Sequence, residues 1–274
     1  MVHVVRVTGQ DIAYRRSSGT GQPVVLVHGN SSSSRTWYHL LDGPLGQRHR
    51  CLALDLPGHG ESPAAVAGSG GYTMPGYAAV LAGFVEALDA GEAVIVGWSL
   101  GGHIALEAAA ALPNAAGFVI FGTPPISSLA DMPAAFLPNP VLQIAFTADL
   151  DPDAALAYAT SLLAPGSTLP TDGLVADILA TDGTARGELA ASLNSALFAD
   201  EVEIVATLNK PVAILHGAHE QLVSLDYLHG LQAPTLWRGA VQVIADAGHA
   251  PQEETPDELA ALLDQFISDL PHPS

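Results

Sequence analysis

Ser99 sits in Gly97-Trp98-Ser99-Leu100-Gly101, behind the apolar, β-branched run Ala93 to Val96 and ahead of Gly102-His103-Ile104-Ala105-Leu106-Glu107, which reads as helix. Strand, sharp turn and helix in that order present a serine hydroxyl at a bend, and glycines two residues to either side remove side chains that would collide where the chain doubles back. Gly-x-Ser-x-Gly also occurs in ordinary turns, so the reading rests on its flanks. A serine hydroxyl is a poor nucleophile at neutral pH. It needs a base within hydrogen-bond reach, and the base needs an acceptor that fixes its tautomer and stabilises the imidazolium. His249, in Asp246-Ala247-Gly248-His249-Ala250-Pro251, is the candidate base, and Glu220, three residues beyond Gly217, the candidate acid. Asp246 competes for the second role because it lies close to His249 in the chain, although it leaves from the same loop; Asp226 is a further alternative.

Acyl chemistry at Ser99 also needs donors for a developing oxyanion. The backbone N–H of Leu100, at a helix start, and that of Asn30, after His28-Gly29, are the two expected. His28 reads as a pin for its loop rather than a base, and Asp55 as a carboxylate that holds its loop by hydrogen bonds. Tyr158 stands out because aromatic residues make up only 6% of the chain. Its ring either packs its helix down or lines a pocket with the hydroxyl aimed at a substrate carbonyl. Trp98 and Phe136 are further substrate-contact candidates, and Met132 and Phe146 suit an apolar chamber or an ordinary core equally well. No compact His-x-His-x-Asp-His run occurs, so neither a metal nor a cofactor is expected.

The elements that position these residues follow one rhythm. His3–Val7 and Ile12–Arg15 flank a turn, and Val24–Val27, Cys51–Leu56, Ala93–Val96, Gly117–Gly122, Lys210–Gly217 and Val241–Ala245 are short apolar runs of buried-strand type. Tyr77, Val80, Leu81, Phe84, Val85 and Leu88 repeat at helical intervals, as do Leu259, Leu262, Leu263, Phe266, Ile267 and Leu270. Strands alternating with helices imply right-handed crossovers and a mostly parallel sheet covered on both faces. The rhythm breaks between 124 and 209, where prolines punctuate three short helical runs, Ala154–Leu163, Leu174–Leu179 and Leu189–Phe198. We expect a core of 1–123 and 210–274 carrying a helical cap insertion, 124–209, that excludes water and shapes a pocket.

Nine Lys and Arg against 28 Asp and Glu give a formal charge of −19, a surface that repels phosphate backbones and anionic membranes, so neither nucleic acid nor a membrane is an expected partner. The start Met1-Val2-His3-Val4-Val5-Arg6 has no secretory pattern and no apolar run reaches about 18 residues, which points to a cytoplasmic protein. The single cysteine, Cys51, reads as a buried strand thiol.

Chain order Ser, acid, His is that of an α/β-hydrolase triad. Over its full length the chain resembles the α/β-hydrolase superfamily, and is especially similar to the small metal-independent N-acyl-homoserine lactone hydrolases of that fold. The resemblance rests on His28-Gly29-Asn30-Ser31-Ser32-Ser33, Asp55-Leu56-Pro57-Gly58-His59-Gly60, Gly97 to His103, Gly122-Thr123-Pro124-Pro125, Glu220 and Ala247-Gly248-His249-Ala250-Pro251. It implies an eight-stranded, mostly parallel sheet flanked by helices, with an inserted helical cap. It assigns the Ser-Glu-His triad to Ser99, Glu220 and His249 and a substrate-facing cap tyrosine to Tyr158. It also implies a small acyl lactone or ester as the partner, opening of the homoserine lactone ring, and quenching of quorum-sensing signals. A monomer or weak homodimer is expected. The segment Leu162 to Pro170 departs most from that group, which leaves acyl-chain length open. The alternatives are a carboxylesterase or other small-lactone hydrolase, and a non-catalytic ligand-binding relative. A dehalogenase would carry a carboxylate at position 99, and cofactor-free dioxygenation is a further use of this fold.

Overall fold

A computed structural model describes residues 1–271. Eight strands form one sheet: β1 (His3–Val7), β2 (Gln10–Arg16), β3 (Pro23–Val27), β4 (Arg50–Leu54), β5 (Val94–Trp98), β6 (Gly117–Phe121), β7 (Val212–Gly217) and β8 (Gln242–Ile244). Their order is β1-β2-β4-β3-β5-β6-β7-β8. Pairings from β4 through β3 to β8 are parallel, whereas β1–β2 and β2–β4 are antiparallel. Every residue of β5, β6 and β7 is buried, as a strand covered on both faces requires.

Alternation divides the interior in two. Val24, Leu26, Val94, Val96 and Trp98 pack on one face with Trp37, Phe121 and Phe266. Val25, Val27 and Ile95 pack on the other with Tyr77, Leu81 and Phe84 of α1 (Met74–Ala87) and Ile104 of α2 (Leu100–Glu107). Each large side chain buried there contributes about 1.5–3 kcal/mol of transfer free energy. Cys51 lies fully buried on β4, where burial pushes its thiol up to about 12 against a hydrogen bond with Ser17.

Between β6 and β7 the regular secondary structure is helical, and one isolated bridge ties Phe136 of this segment to Val223 beyond β7. Two single-turn pieces, Met132–Ala135 and Val141–Ile144, precede α3 (Pro152–Ser161), α4 (Asp172–Ala180), α5 (Gly183–Asn194) and α6 (Glu201–Thr207). Asp151 caps α3 by accepting from Ala154 N, with Pro152 at its first turn. The expected run Leu189–Phe198 is misplaced. The helix begins at Gly183 because Asp182 caps it, and it stops before Ala196, whose φ is 52°. Its first six residues hold only one buried apolar side chain, Ala185, so periodicity could not reveal them. The expected Val241–Ala245 strand narrows to three residues, and Cys51–Leu56 leaves the sheet after Leu54. The closing helix α7 spans Pro256–Ser268. Among the described residues, no helix is long and apolar enough to cross a membrane.

Candidate active site

Parallel strands deliver their C-terminal loops to one edge of the sheet, where ligands of open α/β sheets are held. β5 ends at Trp98, and Ser99 follows at φ 53°, ψ −120°, immediately before α2. That backbone is unfavourable for a residue with a side chain, and the surrounding contacts hold it there. Ser99 N–H donates to Phe121 O at 2.9 Å, and Thr123 Oγ1 donates to Ser99 O at 2.8 Å. A Cβ on Gly97 would strike the Gly101 carbonyl, and one on Gly101 the Val27 carbonyl, so both glycines are required by close backbone approach.

The loops after β7 and β8 bring Glu220 and His249 together. His249 Nδ1 donates to Glu220 Oε2 at 2.7 Å with both side chains almost wholly buried. Glu220 Oε1 accepts from Leu222 N at 2.8 Å. Burial alone would raise the Glu220 carboxyl, but the neighbouring His249 charge and these hydrogen bonds outweigh it and hold the group below the usual carboxylate range. Among the described residues His249 Nε2 has no partner, so a Ser99–His249 hydrogen bond is not made in this resting geometry, although both residues line one cavity. Gly122 lies under the imidazole: a Cβ there would come within 2.7 Å of His249 Cε1. Asp246 and Asp226 are exposed, and His249 pairs with neither.

The loop after β3 is held in several ways. His28 Nδ1 donates to Gly29 O at 2.7 Å and its Nε2 accepts from Leu56 N at 3.0 Å, which sets the neutral tautomer and makes the ring a pin. Its ring lies 5.2 Å from that of His59, and burial lowers His28 to about 4 and His59 to about 3, the latter helped by the neighbouring His28 charge. Asp55 accepts from Ser34 N at 2.6 Å and Glu61 N at 3.0 Å and lies 3.6 Å from Arg15, so it ties two loops together. Asn30 Nδ2 donates to Ala145 O at 2.6 Å. Among the described residues the N–H groups of Asn30 and Leu100 have no acceptor.

An opening with about 840 Å³ of empty space, its mouth included, reaches Ser99 and His249 between the sheet edge and the inserted helices. Its wall is mainly apolar and includes Phe136, Phe146, Met132, Leu189 and Tyr158. Tyr158 is buried, and its hydroxyl donates to Asn30 O at 3.4 Å. Burial keeps that hydroxyl protonated far above neutrality. Trp98, expected at the substrate, is not part of the wall. Strand alternation turns it to the face of Val94 and Val96, and its Nε1 donates to His249 O at 2.8 Å, so it positions the His249 loop. The sequence reading missed Met74, Leu193 and Phe198, which long-range folding brings to the wall, and also a second histidine–carboxylate pair, His103 with Glu201. His103 was visible one helical turn beyond Ser99; Glu201, about a hundred positions away, gave no signal. Among the described residues, no group of three or more His, Cys, Asp or Glu is placed to hold a metal ion.

The model of the alpha/beta hydrolase family matches residues 24–262, and the chain, with its eight-stranded, mostly parallel sheet flanked by helices, belongs to that family. Within it, the chain is 34% identical to N-acyl homoserine lactonase AidH, solved in complex with N-butanoyl homoserine, with a TM-score of 0.93 and all of both chains covered. The esterase RhEst1 from Rhodococcus sp. ECU1013 is 26% identical, with a TM-score of 0.81 over 98% of this chain and 99% of that one. A pimeloyl-[acyl-carrier protein] methyl ester esterase from Aromatoleum aromaticum is 29% identical over 89% of this chain and 97% of its own length.

Proposed function

We propose that this chain opens the lactone ring of N-acyl homoserine lactones by serine catalysis. Ser99 Oγ attacks the lactone carbonyl carbon while His249 Nε2 takes its proton. Glu220 holds Nδ1–H and stabilises the imidazolium that forms. The N–H groups of Leu100 and Asn30 receive the oxyanion. As the tetrahedral intermediate collapses, the ring C–O bond breaks and His249 returns the proton to the ring oxygen, which stays on the homoserine as a hydroxyl. Water, deprotonated by His249, then cleaves the acyl-enzyme and leaves N-acyl homoserine with a free carboxylate. Tyr158 remains a neutral donor, able to exchange its long contact with Asn30 O for a substrate oxygen.

The observation that carries this reading is the apolar cavity that ends on Ser99, Tyr158 and His249. An acyl tail fills such a wall, and each methylene buried contributes about 0.8 kcal/mol, so kcat/KM rises about fourfold per added carbon until the cavity is full. Similarity to AidH over the whole chain supports the lactone as headgroup. Hydrolysis of such lactones would silence the signals that bacteria use to sense their density. Simple-ester hydrolysis is the second reading, favoured by the methyl ester esterase relative. Mass spectrometry after incubation with lactones of four to twelve acyl carbons, in parallel with aryl and methyl esters, decides between them. Addition of one water without release of fatty acid supports the lactone reading. Negligible lactone turnover beside efficient ester cleavage overturns it.

A further inference from the structure

His103 and Glu201 form an ionisable pair in a wall that otherwise suits a hydrocarbon chain. His103 Nδ1 donates to the carboxylate of Glu201, 2.8 Å from Oε2 and 2.9 Å from Oε1, and both residues line the same cavity as Ser99. Glu201 is itself fixed from behind. Its Oε2 accepts from Ile126 N at 3.1 Å, its own N–H donates to Ile126 O at 3.0 Å, and its side chain is 2% exposed. These bonds join the two roots of the inserted segment, 126 and 201, to α2, which accounts for the carboxylate and for Nδ1. They leave Nε2 unused: among the described residues it has no protein partner, and the His103 side chain is 16% exposed. His103 lines that cavity, so its uncommitted ring nitrogen is free to meet a polar group on a ligand.

We infer that His103 Nε2 is a specificity site for a hydroxyl on the third carbon of the acyl chain. The inference rests on the lactone reading above. Position and chemistry both support it. His103 N–H donates to Ser99 O at 3.4 Å, which places His103 one helical turn, about 6 Å, beyond the serine. From the scissile carbonyl carbon to the third acyl carbon there are five covalent bonds, about 6 Å when extended. With Nδ1–H committed to Glu201, the neutral ring offers Nε2 as an acceptor, and the imidazolium offers it as a donor. A hydroxyl pairs with either form. A ketone, which has no proton to give, pairs only with the second.

The test compares N-octanoyl with N-(3-hydroxyoctanoyl) homoserine lactone, and with the analogue hydroxylated on the terminal carbon. The ratio of kcat/KM for hydroxylated over plain substrate is taken within one preparation, so the active fraction cancels. For the wild type it is expected to be about 3–10 for the 3-hydroxy substrate, the range of one net hydrogen bond, and below 1 for the terminal alcohol, which meets apolar wall. In His103→Leu the 3-hydroxy ratio falls to 1 or below. The double variant His103→Leu/Glu201→Gln gives the same ratio without leaving a buried charge unpaired. Loss of a structural clasp alone would lower both rates together and leave the ratio unchanged. A wild-type ratio of 1, equal gains for the two alcohols, or a gain that survives His103→Leu overturns the subsite while the lactone reading stands. Wild-type inactivity on every lactone overturns that reading, and this inference with it.

Discussion

The edge of the sheet and the helical segment that faces it enclose the same cavity by different physics. At the sheet edge, short loops leave buried parallel strands and are held within a few residues of their origin: Ser99 by Phe121 and Thr123, His249 by Glu220 and Trp98. The inserted segment has a discontinuous apolar stripe, and polar contacts far apart in the chain anchor it. Ser33 Oγ donates to Asp177 Oδ2 at 2.6 Å, Tyr72 Oη donates to Asp182 Oδ2 at 2.6 Å, and the Arg186 guanidinium donates to the carbonyls of Thr147 and Ala148, both at 2.7 Å. The proposed reaction geometry is thus set on rigid elements, and the shape of the cavity wall on elements that long-range hydrogen bonds hold in place.

Substitutions at the two regions should therefore fail differently. Ser99→Ala removes the hydroxyl proposed to attack and is expected to lower kcat at least about 10⁴-fold with the fold intact. A folded variant with near-parental turnover would show that the cavity's chemistry lies elsewhere. Glu220→Gln leaves His249 without a charged partner and should lower kcat by about 10³–10⁴-fold, whereas Asp246→Asn, changed on an exposed residue, should stay within about twofold. The reverse order in steady-state kinetics of the two variants would reassign the acid.

Acid titration probes the sheet edge through His28 and His59. Both rings are held neutral in the folded chain, near 4 and 3, against an ordinary value of 6.5. A depressed value means that the unfolded chain binds protons first. The stability they contribute is complete above about pH 6.5 and is lost as the pH falls towards those folded-state values. For His28 alone the loss amounts to about 3 kcal/mol. Urea unfolding should show lower stability at pH 5 than at pH 7, with His216, likewise depressed by burial, adding to the same loss; a stability equal or higher at pH 5 would contradict the buried neutral pair.

The smallest expected effect lies in the inserted segment. Tyr158→Phe gives up only a 3.4 Å contact in the resting protein, so thermal stability should change little, while kcat/KM on lactones should fall about 3–10-fold. An unchanged kcat/KM would reduce Tyr158 to packing.

Some of this molecule was fixed by local chemistry and was therefore legible in the sequence. The bend at Ser99 shows because a strand, two glycines and a helix start must coincide within about ten residues. β3, β5, β6 and β7 show because interior parallel strands must be apolar on both faces. Asp55 as loop anchor and His28 as pin were readable from their places at strand ends. Tertiary structure alone decided the rest. Glu220 and Asp246 are equivalent as carboxylates, and only the pairing of β7 with β8 sets the first, and not the second, against His249. Trp98 adjoins Ser99 in the chain yet faces away from the cavity, because one step along a strand reverses the side chain. The start of α5 depended on a cap at Asp182 that no apolar period announces. The His103–Glu201 pair needed the inserted segment to return to α2. Local propensity encodes elements and tight turns; it does not encode which distant carboxylate a histidine meets, since the closure of long loops sets that distance.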